Sequence, residues 1–122
     1  LSMSTLLHLT GLNRWLVPVA GGPNSQHAIT LLPALVSLSR QPDIRLCQVF
    51  HPTDAAYDIS ILEQDAAFLQ ERLSDPVTTI PVCASSVSEA VIDMAQKNQC
   101  DVVVVGASRE GMLQRAFHGN IP

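Results

Sequence analysis

Short apolar segments alternate with amphipathic ones along most of the chain. Arg14 to Ala20 is an apolar run that stops at Gly21-Gly22, a pattern typical of a buried strand entering a glycine turn. Helical periodicity follows from Asn24 or Ser25 to Leu38, where leucine, isoleucine and valine form a broad apolar stripe. Because proline lacks a backbone donor, we expect Pro33 to kink this helix or to start a new one.

The same alternation continues through three more strands and two more helices. The predicted segments are a strand over Arg45–Phe50, a helix over Asp58–Leu73, a strand over Val77–Cys83, a helix opened by the capping box Ser86–Glu89, and a strand over Asp101–Val105. Pro81 cannot donate to a sheet ladder, so its strand is expected at an edge or at a bulge. The valines of the last strand indicate burial on both faces, as in a parallel sheet covered by helices.

The element order β-α-β-α-β-α-β predicts an α/β fold with a doubly wound, mostly parallel sheet and helices on both faces. Right-handed crossovers place all carboxyl ends of the strands at one edge, and ligands of such sheets bind where the strand order reverses. The chain is too short to form two domains that each have a hydrophobic core able to stand alone. We therefore expect one domain over residues 14–122, preceded by a linker or residual tail at residues 1–13.

Composition narrows the classes of function. The chain is 47% apolar and 15% charged with a net charge of −4, which excludes a basic nucleic-acid groove. The fraction of charged residues lies below the roughly 25% of ordinary soluble domains, so part of the surface is expected to be apolar and to dock a partner. The longest apolar run, Ala28–Leu38, is too short to span a bilayer, and direct membrane insertion is not expected. Cys47, Cys83 and Cys100 are interpreted as reduced, buried thiols in a reducing compartment.

Candidate chemistry lies at two glycine-rich strand ends, Ala20-Gly21-Gly22 and Gly106–Gly111. A glycine turn before a helix offers free amide donors and the positive end of a helix dipole, which suit a phosphate. Neither turn has the spacing of a P-loop or of a dinucleotide fold, so a plain tight turn remains the alternative. The four histidines are not at ligand spacing, and no metal is predicted. Ser108 has no base or acid placed to activate it, so no enzyme is predicted.

The arrangement as a whole resembles the universal stress protein domain, over roughly Arg14 to Pro122. The likeness is carried by Leu16–Ser25, by the capped third helix, and by Asp101–Gly106 with the loop to Gly119. The resemblance implies a fold of the adenine nucleotide alpha hydrolase type. Members of that family continue with a fourth helix and a fifth strand, through which two copies often pair. The resemblance implies a homodimer, but this chain is expected to lack that C-terminal helix and strand, so the family's mode of pairing is not carried over to it.

In the nucleotide-binding branch of that family, the last loop reads G-x2-G-x9-G-S/T and wraps the phosphates of ATP. Gly106 and Gly119 stand at the two outer glycine positions, whereas Arg109 replaces the middle glycine and Asn120 replaces the Ser/Thr. Ala20 stands where ATP-binding members usually carry an aspartate that contacts the nucleoside. The resemblance thus implies weak binding, at most, of ATP or another adenine nucleotide.

The resemblance also names the residues of this nucleotide site. They are Pro18, Val19, Ala20, Gly21, Val49, Gly106, Ser108, Arg109, Gly119 and Asn120. Val49 would act through main-chain groups that read adenine, which leaves no trace in side-chain identity. The Arg109 guanidinium can pair with a phosphate in a bidentate way, or it can fill space that glycine would leave open.

The amino-acid sequences of Gly106–Gln114 and of the closing Gly119–Pro122 are similar to those of stress-protein domains attached to bacterial transporters. Such transporters include chloride channels of the voltage-gated type and cation/proton antiporters. This resemblance implies a cytosolic regulatory domain cut from a membrane ion transporter, whose transporter portion is its partner. The alternative is a free-standing, ATP-binding stress protein that acts as a homodimer. An ATP hydrolase of low turnover is the third hypothesis.

Overall fold

The computed structural model describes residues 12–105, which form a parallel sheet flanked by helices. The elements in chain order are β1 (Arg14–Pro18), α1 (Gly22–Val36), β2 (Asp43–Phe50), α2 (Ser60–Arg72), β3 (Val77–Cys83), α3 (Val87–Lys97) and β4 (Val102–Val103). The strand order is β3-β2-β1-β4, and each neighbouring pair is parallel. The predicted α/β fold is confirmed.

The strand order reverses beside β1. The chain moves outward from β1 to β2 and β3, and α3 then carries it back to the far side of β1, where β4 pairs. Residues Trp15 and Leu16 of β1 lie opposite Val102 and Val103 of β4. Ligands of open α/β sheets bind at such a reversal, so the gap between the carboxyl ends of β1 and β4 is the candidate site.

Alternating side chains of the strands build two cores, one on each face of the sheet. The first face is covered by α1 and α2, and its buried members are Trp15, Val17, Val19, Ile29, Leu32, Val36, Ile44, Leu46, Leu62, Leu69, Val102 and Val104. The second face is covered by α3, and its buried members are Leu16, Cys47, Val91 and Met94. Helices therefore cover both faces, as the sequence predicts.

Trp15 is the largest fully buried side chain, and its polar atom has a partner. The indole Nε1 donates to Ser39 Oγ over 2.9 Å, and the Ser39 hydroxyl donates to the carbonyl oxygen of Leu12. A buried donor without an acceptor would cost about 1–3 kcal/mol. This chain of two hydrogen bonds therefore allows β1 to carry an indole into the core.

Helix α1 differs from the sequence prediction in one respect. It runs without interruption from Gly22 to Val36 with Pro33 inside it, so of the two alternatives a new start at Pro33 is excluded and a kink stays a prediction. The ring removes one helical hydrogen bond, but Ile29, Leu32 and Val36 remain buried on one stripe, and this packing holds the helix together. With 15 residues α1 is the longest helix described, and none of the helices within residues 12–105 is long and apolar enough to cross a bilayer.

Strand β4 is shorter than predicted, although its pairing extends beyond the strand itself. The strand covers Val102–Val103 instead of Asp101–Val105. Flanking hydrogen bonds continue the ladder. The amide of Asp101 donates to the carbonyl of Arg14, and the amide of Val104 donates to the carbonyl of Leu16.

The cysteines also differ from the expectation that all three are buried. Cys47 is buried and Cys100 half-buried, but Cys83 is exposed at the end of the outer strand β3. None of the three is in a disulfide. Burial raises the pKa of the Cys47 thiol to about 12, which makes that thiol unreactive at neutral pH.

Strand β3 is the outer strand on its side of the described sheet, as Pro81 predicts. The amide of Ala84 donates to Phe50 of β2, whereas the amide of Val77 donates to the side chain of Gln70. Main-chain groups alternate in direction along a strand, so Pro81, four residues after Val77, belongs to the outward-facing set. The missing donor of Pro81 therefore costs the sheet no hydrogen bond.

A polar network fixes the amino ends of β1 and β4 at the opposite edge of the sheet. Asp101 Oδ2 accepts hydrogen bonds of 2.9 Å from the amides of Asn13 and Arg14. The Arg14 guanidinium donates to the carbonyl of Asn98, and the Arg45 guanidinium donates to the Asn98 side chain. The two amide donors hold the pKa of Asp101 below its usual range, so this carboxylate stays charged at neutral pH.

We predict that Asp101→Ala lowers the free energy of unfolding by about 1 kcal/mol at pH 7, since two charge-assisted hydrogen bonds at an exposed site are lost. The carboxyl pKa is lower in the folded chain than in the unfolded one. Its contribution is therefore present above the ordinary Asp pKa and is lost as the pH falls through the lower, folded value. Urea denaturation from pH 3 to pH 7 measures this, with the exposed Asp93→Ala as control. A loss that does not shrink at acid pH would contradict it.

Asp65 of α2 generates a second prediction. It is only 4% exposed, lies on the same helical face as Leu62 and Leu69, and burial raises the pKa of its carboxyl. This group opposes folding as the pH rises through its raised pKa, because the charged form is desolvated. Asp65→Asn should therefore stabilise the chain by about 1 kcal/mol at pH 7 and by less at pH 3. Urea denaturation with the exposed Glu71→Gln as control measures both values, and a gain independent of pH would contradict this account.

Candidate functional site

The carboxyl ends of β1 and β4 lie side by side at one edge of the sheet. Parallel pairing of Leu16 with Val103 makes the two strands end together, and Val105 leads directly into Gly106. The structure thus gives the strand order that a site between the Ala20 and Gly106 turns requires. Five of the predicted site residues lie outside the described residues: Gly106, Ser108, Arg109, Gly119 and Asn120.

The turn from β1 to α1 holds four of the remaining predicted residues, Pro18, Val19, Ala20 and Gly21. Pro18 ends β1, and the amide of Val19 still donates to the carbonyl of Cys47 over 2.8 Å. The amide of Ala20 donates to the hydroxyl of the buried Ser25 over 3.2 Å. Ser25 therefore fixes the turn and occupies one of its main-chain donors.

Gly21 has a backbone conformation that only glycine adopts easily. Its φ is 76° and its ψ is −180°, and a Cβ atom built there would lie 2.8 Å from Ile61 Cδ1 at the start of α2. The next residue, Gly22, also has a positive φ of 81°, but open space surrounds its Cα. Gly21 therefore lets the turn pass close to α2, and its backbone conformation together with this close approach explains the glycine without a ligand.

The amino end of α1 differs from those of α2 and α3. It has no acidic residue in its first turn, unlike both of them, and it shares with α2 the lack of a side-chain capping hydrogen bond. In contrast, α2 has Glu63 in its first turn, and α3 has Glu89 together with a cap in which Ser86 Oγ accepts from the Glu89 amide. This hydrogen bond from the Glu89 amide to Ser86 confirms one of the two hydrogen bonds of the predicted capping box of α3. Since anions favour the positive end of a helix dipole, α1 is the helix of the three whose amino end best suits an anionic group.

Val49 lies near the end of β2 and is half-buried on the α3 face, opposite Val82 of β3. The carbonyl of Cys47 points towards β1, where it accepts from the amide of Val19. Because main-chain groups alternate along a strand, those of Val49 point to the same side, towards the end of β1. This is the direction that the predicted main-chain recognition of adenine requires, and the binding itself stays a prediction.

The cationic side chains of residues 12–105 lie towards one edge of the sheet, whereas acidic side chains lie at both edges. The described residues at the carboxyl edge carry Asp54, Asp58, Glu63 and Glu89. The lysines and arginines among residues 12–105 lie towards the opposite edge, near the starts of strands or the ends of helices. They are Arg14, Arg40, Arg45, Arg72 and Lys97. Within the described part of the chain, a phosphate at the carboxyl edge is therefore offered main-chain donors and not a cationic side chain.

Several ionisable groups at this edge are engaged in local turns. Asp54 accepts from the amide of His51, and the His51 ring contacts the Thr53 hydroxyl over 2.6 Å. The amide of Ser60 donates to Asp58, which lowers the pKa of that carboxyl. No group of three or more His, Cys, Asp and Glu side chains within residues 12–105 is arranged to hold a metal ion.

Sequence analysis did not single out Tyr57, which the structure places on the end of β2. Its ring stacks on the buried ring of Phe50 with centroids 4.9 Å apart, and its hydroxyl lies 2.8 Å from Cys83 Sγ. The contact with Cys83 raises the pKa of the Tyr57 hydroxyl. Phe50 and Trp15 are both buried in the packing of the sheet. A contact across 26 positions leaves no signal in the local pattern that could have revealed Tyr57.

Sheet, helices and glycine turn together define an α/β domain with Rossmann-like strand order. Within that class, the chain belongs to the universal stress protein family, whose model matches residues 12–122. It is similar to the crystal structure of a protein from the universal stress protein family from Burkholderia pseudomallei, with a TM-score of 0.67 and 18% sequence identity over 91% of this chain and 92% of that one. No curated protein sequence matches this chain.

The geometry of the turn predicts that Gly21→Ala lowers the free energy of unfolding by about 2 kcal/mol, because alanine is strained at this φ and ψ and Ile61 must move. Gly22→Ala serves as the control, since only its positive φ is disfavoured, and it should cost about 1 kcal/mol. Adding Ile61→Val to Gly21→Ala should recover the steric part of the loss. Urea denaturation measures all three variants. Equal losses for the two alanine variants would contradict the close contact with α2.

Proposed function

We propose that this chain is a cytosolic regulatory domain of a membrane ion transporter, such as a chloride channel or a cation/proton antiporter. Its carboxyl sheet edge binds an adenine nucleotide weakly, and binding or docking there controls the transporter. The observation that carries the proposal is the amino end of α1, which has no acidic residue in its first turn and lies at the strand-order reversal.

Nucleotide binding is supported by main-chain groups. The amino end of α1 favours a phosphate group through its dipole, and the main-chain groups of Val49 are directed towards the end of β1. Because Ala20 stands in place of an aspartate, one polar contact with the nucleoside is missing. The described residues at the carboxyl edge contribute no lysine or arginine to the phosphates. Weak binding is therefore expected, with Arg109 as the cationic partner of the phosphates.

Regulation is favoured over catalysis by the state of the ionisable groups at this edge. His51, Asp54 and Asp58 are held in local turns by their own neighbours, which explains their positions without a reaction. A ligand or partner can control a transporter only if it binds one conformation more tightly than the other. The domain then needs a binding surface and a connection, and not a catalytic group.

A free-standing, nucleotide-binding homodimer is the second candidate. The structural match supports it, because 92% of a crystallised family chain corresponds to 91% of this one, so a domain of this size exists as a chain of its own. The coding sequence on both sides of these residues separates the two candidates. Membrane-spanning segments in the same open reading frame support the transporter, and an open reading frame that ends at the domain supports the homodimer.

Calorimetric titration with ATP, AMP and cyclic dinucleotides tests the nucleotide site. We expect micromolar binding of an adenine nucleotide, weakened at least about tenfold in Arg109→Ala because a charge-assisted hydrogen bond to phosphate is lost. Arg40→Ala is the matched control, since this exposed arginine follows α1 at the opposite edge of the sheet and should leave binding unchanged. Absence of heat with every nucleotide would reject the site and leave a domain that acts by docking alone.

A further inference from the structure

Three of the five exposed large apolar residues among those described come after β2 or β3, at the carboxyl edge of the sheet. Tyr57 is 45% exposed, Ile59 39% and Val87 59%. We call these residues, together with the exposed Cys83, the edge patch. Tyr57 and Ile59 follow β2, Cys83 ends β3 and Val87 comes after it, so the edge patch lies on the β2 and β3 side of the strand-order reversal.

Contacts with the sheet hold the edge patch in place. Tyr57 stacks on Phe50, whose side chain is buried, and its hydroxyl touches Cys83 Sγ. Ile59 directly precedes α2, and Val87 is the first residue of α3, where it follows the Ser86 cap. The exposed apolar side chains are thus presented by two helix starts and a stacked pair of rings. An ordered apolar surface of this kind is typical of an interaction site.

Four carboxylates lie around the edge patch. Asp54 and Asp58 are in the loop that contains Tyr57, Glu63 is in the first turn of α2, and Glu89 is in the first turn of α3. Hydrogen bonds to the main chain fix Asp54 and Asp58, and the bond from Ser60 keeps Asp58 charged at neutral pH. The lysines and arginines of residues 12–105 lie at the opposite edge, so they do not neutralise this charge.

We propose that the edge patch docks a segment of a partner protein in which apolar side chains are flanked by lysine or arginine. Apolar contacts at the centre and charged pairs at the rim are the usual arrangement of a protein interface. Complementary charge speeds association and excludes partners of the same sign. The carboxylates therefore repel an anionic membrane surface and attract a basic segment.

The edge patch adjoins the nucleotide site at the end of β2, because Tyr57 stacks on Phe50, which directly follows Val49. It contains none of the residues predicted for the nucleotide site, so different variants test the two. It agrees with the transporter context proposed above, since cytosolic loops next to membrane spans carry an excess of lysine and arginine. Failure of nucleotide binding would leave this proposal intact, and failure of docking would leave the nucleotide site intact.

Fluorescence anisotropy with an amphipathic peptide of leucine and lysine tests the docking. We expect binding that weakens as salt is added, and no binding of the same peptide with every lysine replaced by glutamate. Val87→Ser should weaken binding about tenfold, because one apolar contact is lost. The double variant Asp54→Asn with Asp58→Asn should weaken it about threefold to tenfold, while the asparagine side chains keep the turn hydrogen bonds.

Matched controls come from elsewhere in the chain. Ile92→Ser removes an exposed apolar residue on the outer side of α3, and Glu71→Gln with Asp75→Asn removes two negative charges near the end of α2. Neither control should change peptide affinity. Equal binding of the lysine and glutamate peptides, or equal losses in the controls and the edge-patch variants, would overturn the proposal.

Two further results would assign the edge patch to a different occupant and would also overturn the proposal. Self-association in analytical ultracentrifugation that is lost in Val87→Ser would mean that a second copy of this chain covers it. Protection of Tyr57 from hydroxyl-radical labelling in the free monomer would mean that the chain's own remaining residues cover it. Labelling in the free protein and protection by the lysine peptide would support docking.

Discussion

The fold depends on the burial and pairing of β1. This strand pairs with β2 on one side and with β4 on the other, and its side chains Trp15, Leu16 and Val17 enter both cores of the sheet. A strand in this position needs a partner for every polar group that it buries, which the hydrogen bond from Trp15 to Ser39 supplies. Because β1 is central, its end and that of β4 are adjacent, and the family's candidate site follows from the same constraint.

Most of the fold could be predicted from periodicity and turn chemistry. The element order, the parallel sheet, the edge position of β3 and the α3 cap all depend on local patterns, which a sequence displays directly. Tertiary packing outweighs local preference in two places, where it excludes one of the alternatives for Pro33 and overturns the expected burial of Cys83. Helix α1 continues through Pro33 because its apolar stripe is buried as a unit, and Cys83 is exposed because outer strands have solvent on one side.

The candidate site could be predicted only in part. Gly21 is visible in the sequence as a turn glycine, but its close approach to Ile61 requires α2 to be in place. The direction of the Val49 main chain and the stacking of Tyr57 on Phe50 involve atoms whose positions are set by strand pairing and not by residue type. The confinement of the described lysines and arginines to the amino edge likewise appears only once the strand directions are known. The carboxyl edge itself has a part suited to an anion, near α1, and an acidic part near β2 and β3.

The outer side of β3 has a consequence for the chain in concentrated solution. Gln70 occupies the outward amide of Val77, and Pro81 has no amide hydrogen to offer. An extended polypeptide arriving at this side would thus find two of the hydrogen bonds needed for a regular ladder withheld. Strand addition at β3 is disfavoured, which protects the folded chain against fibril-like stacking through this strand.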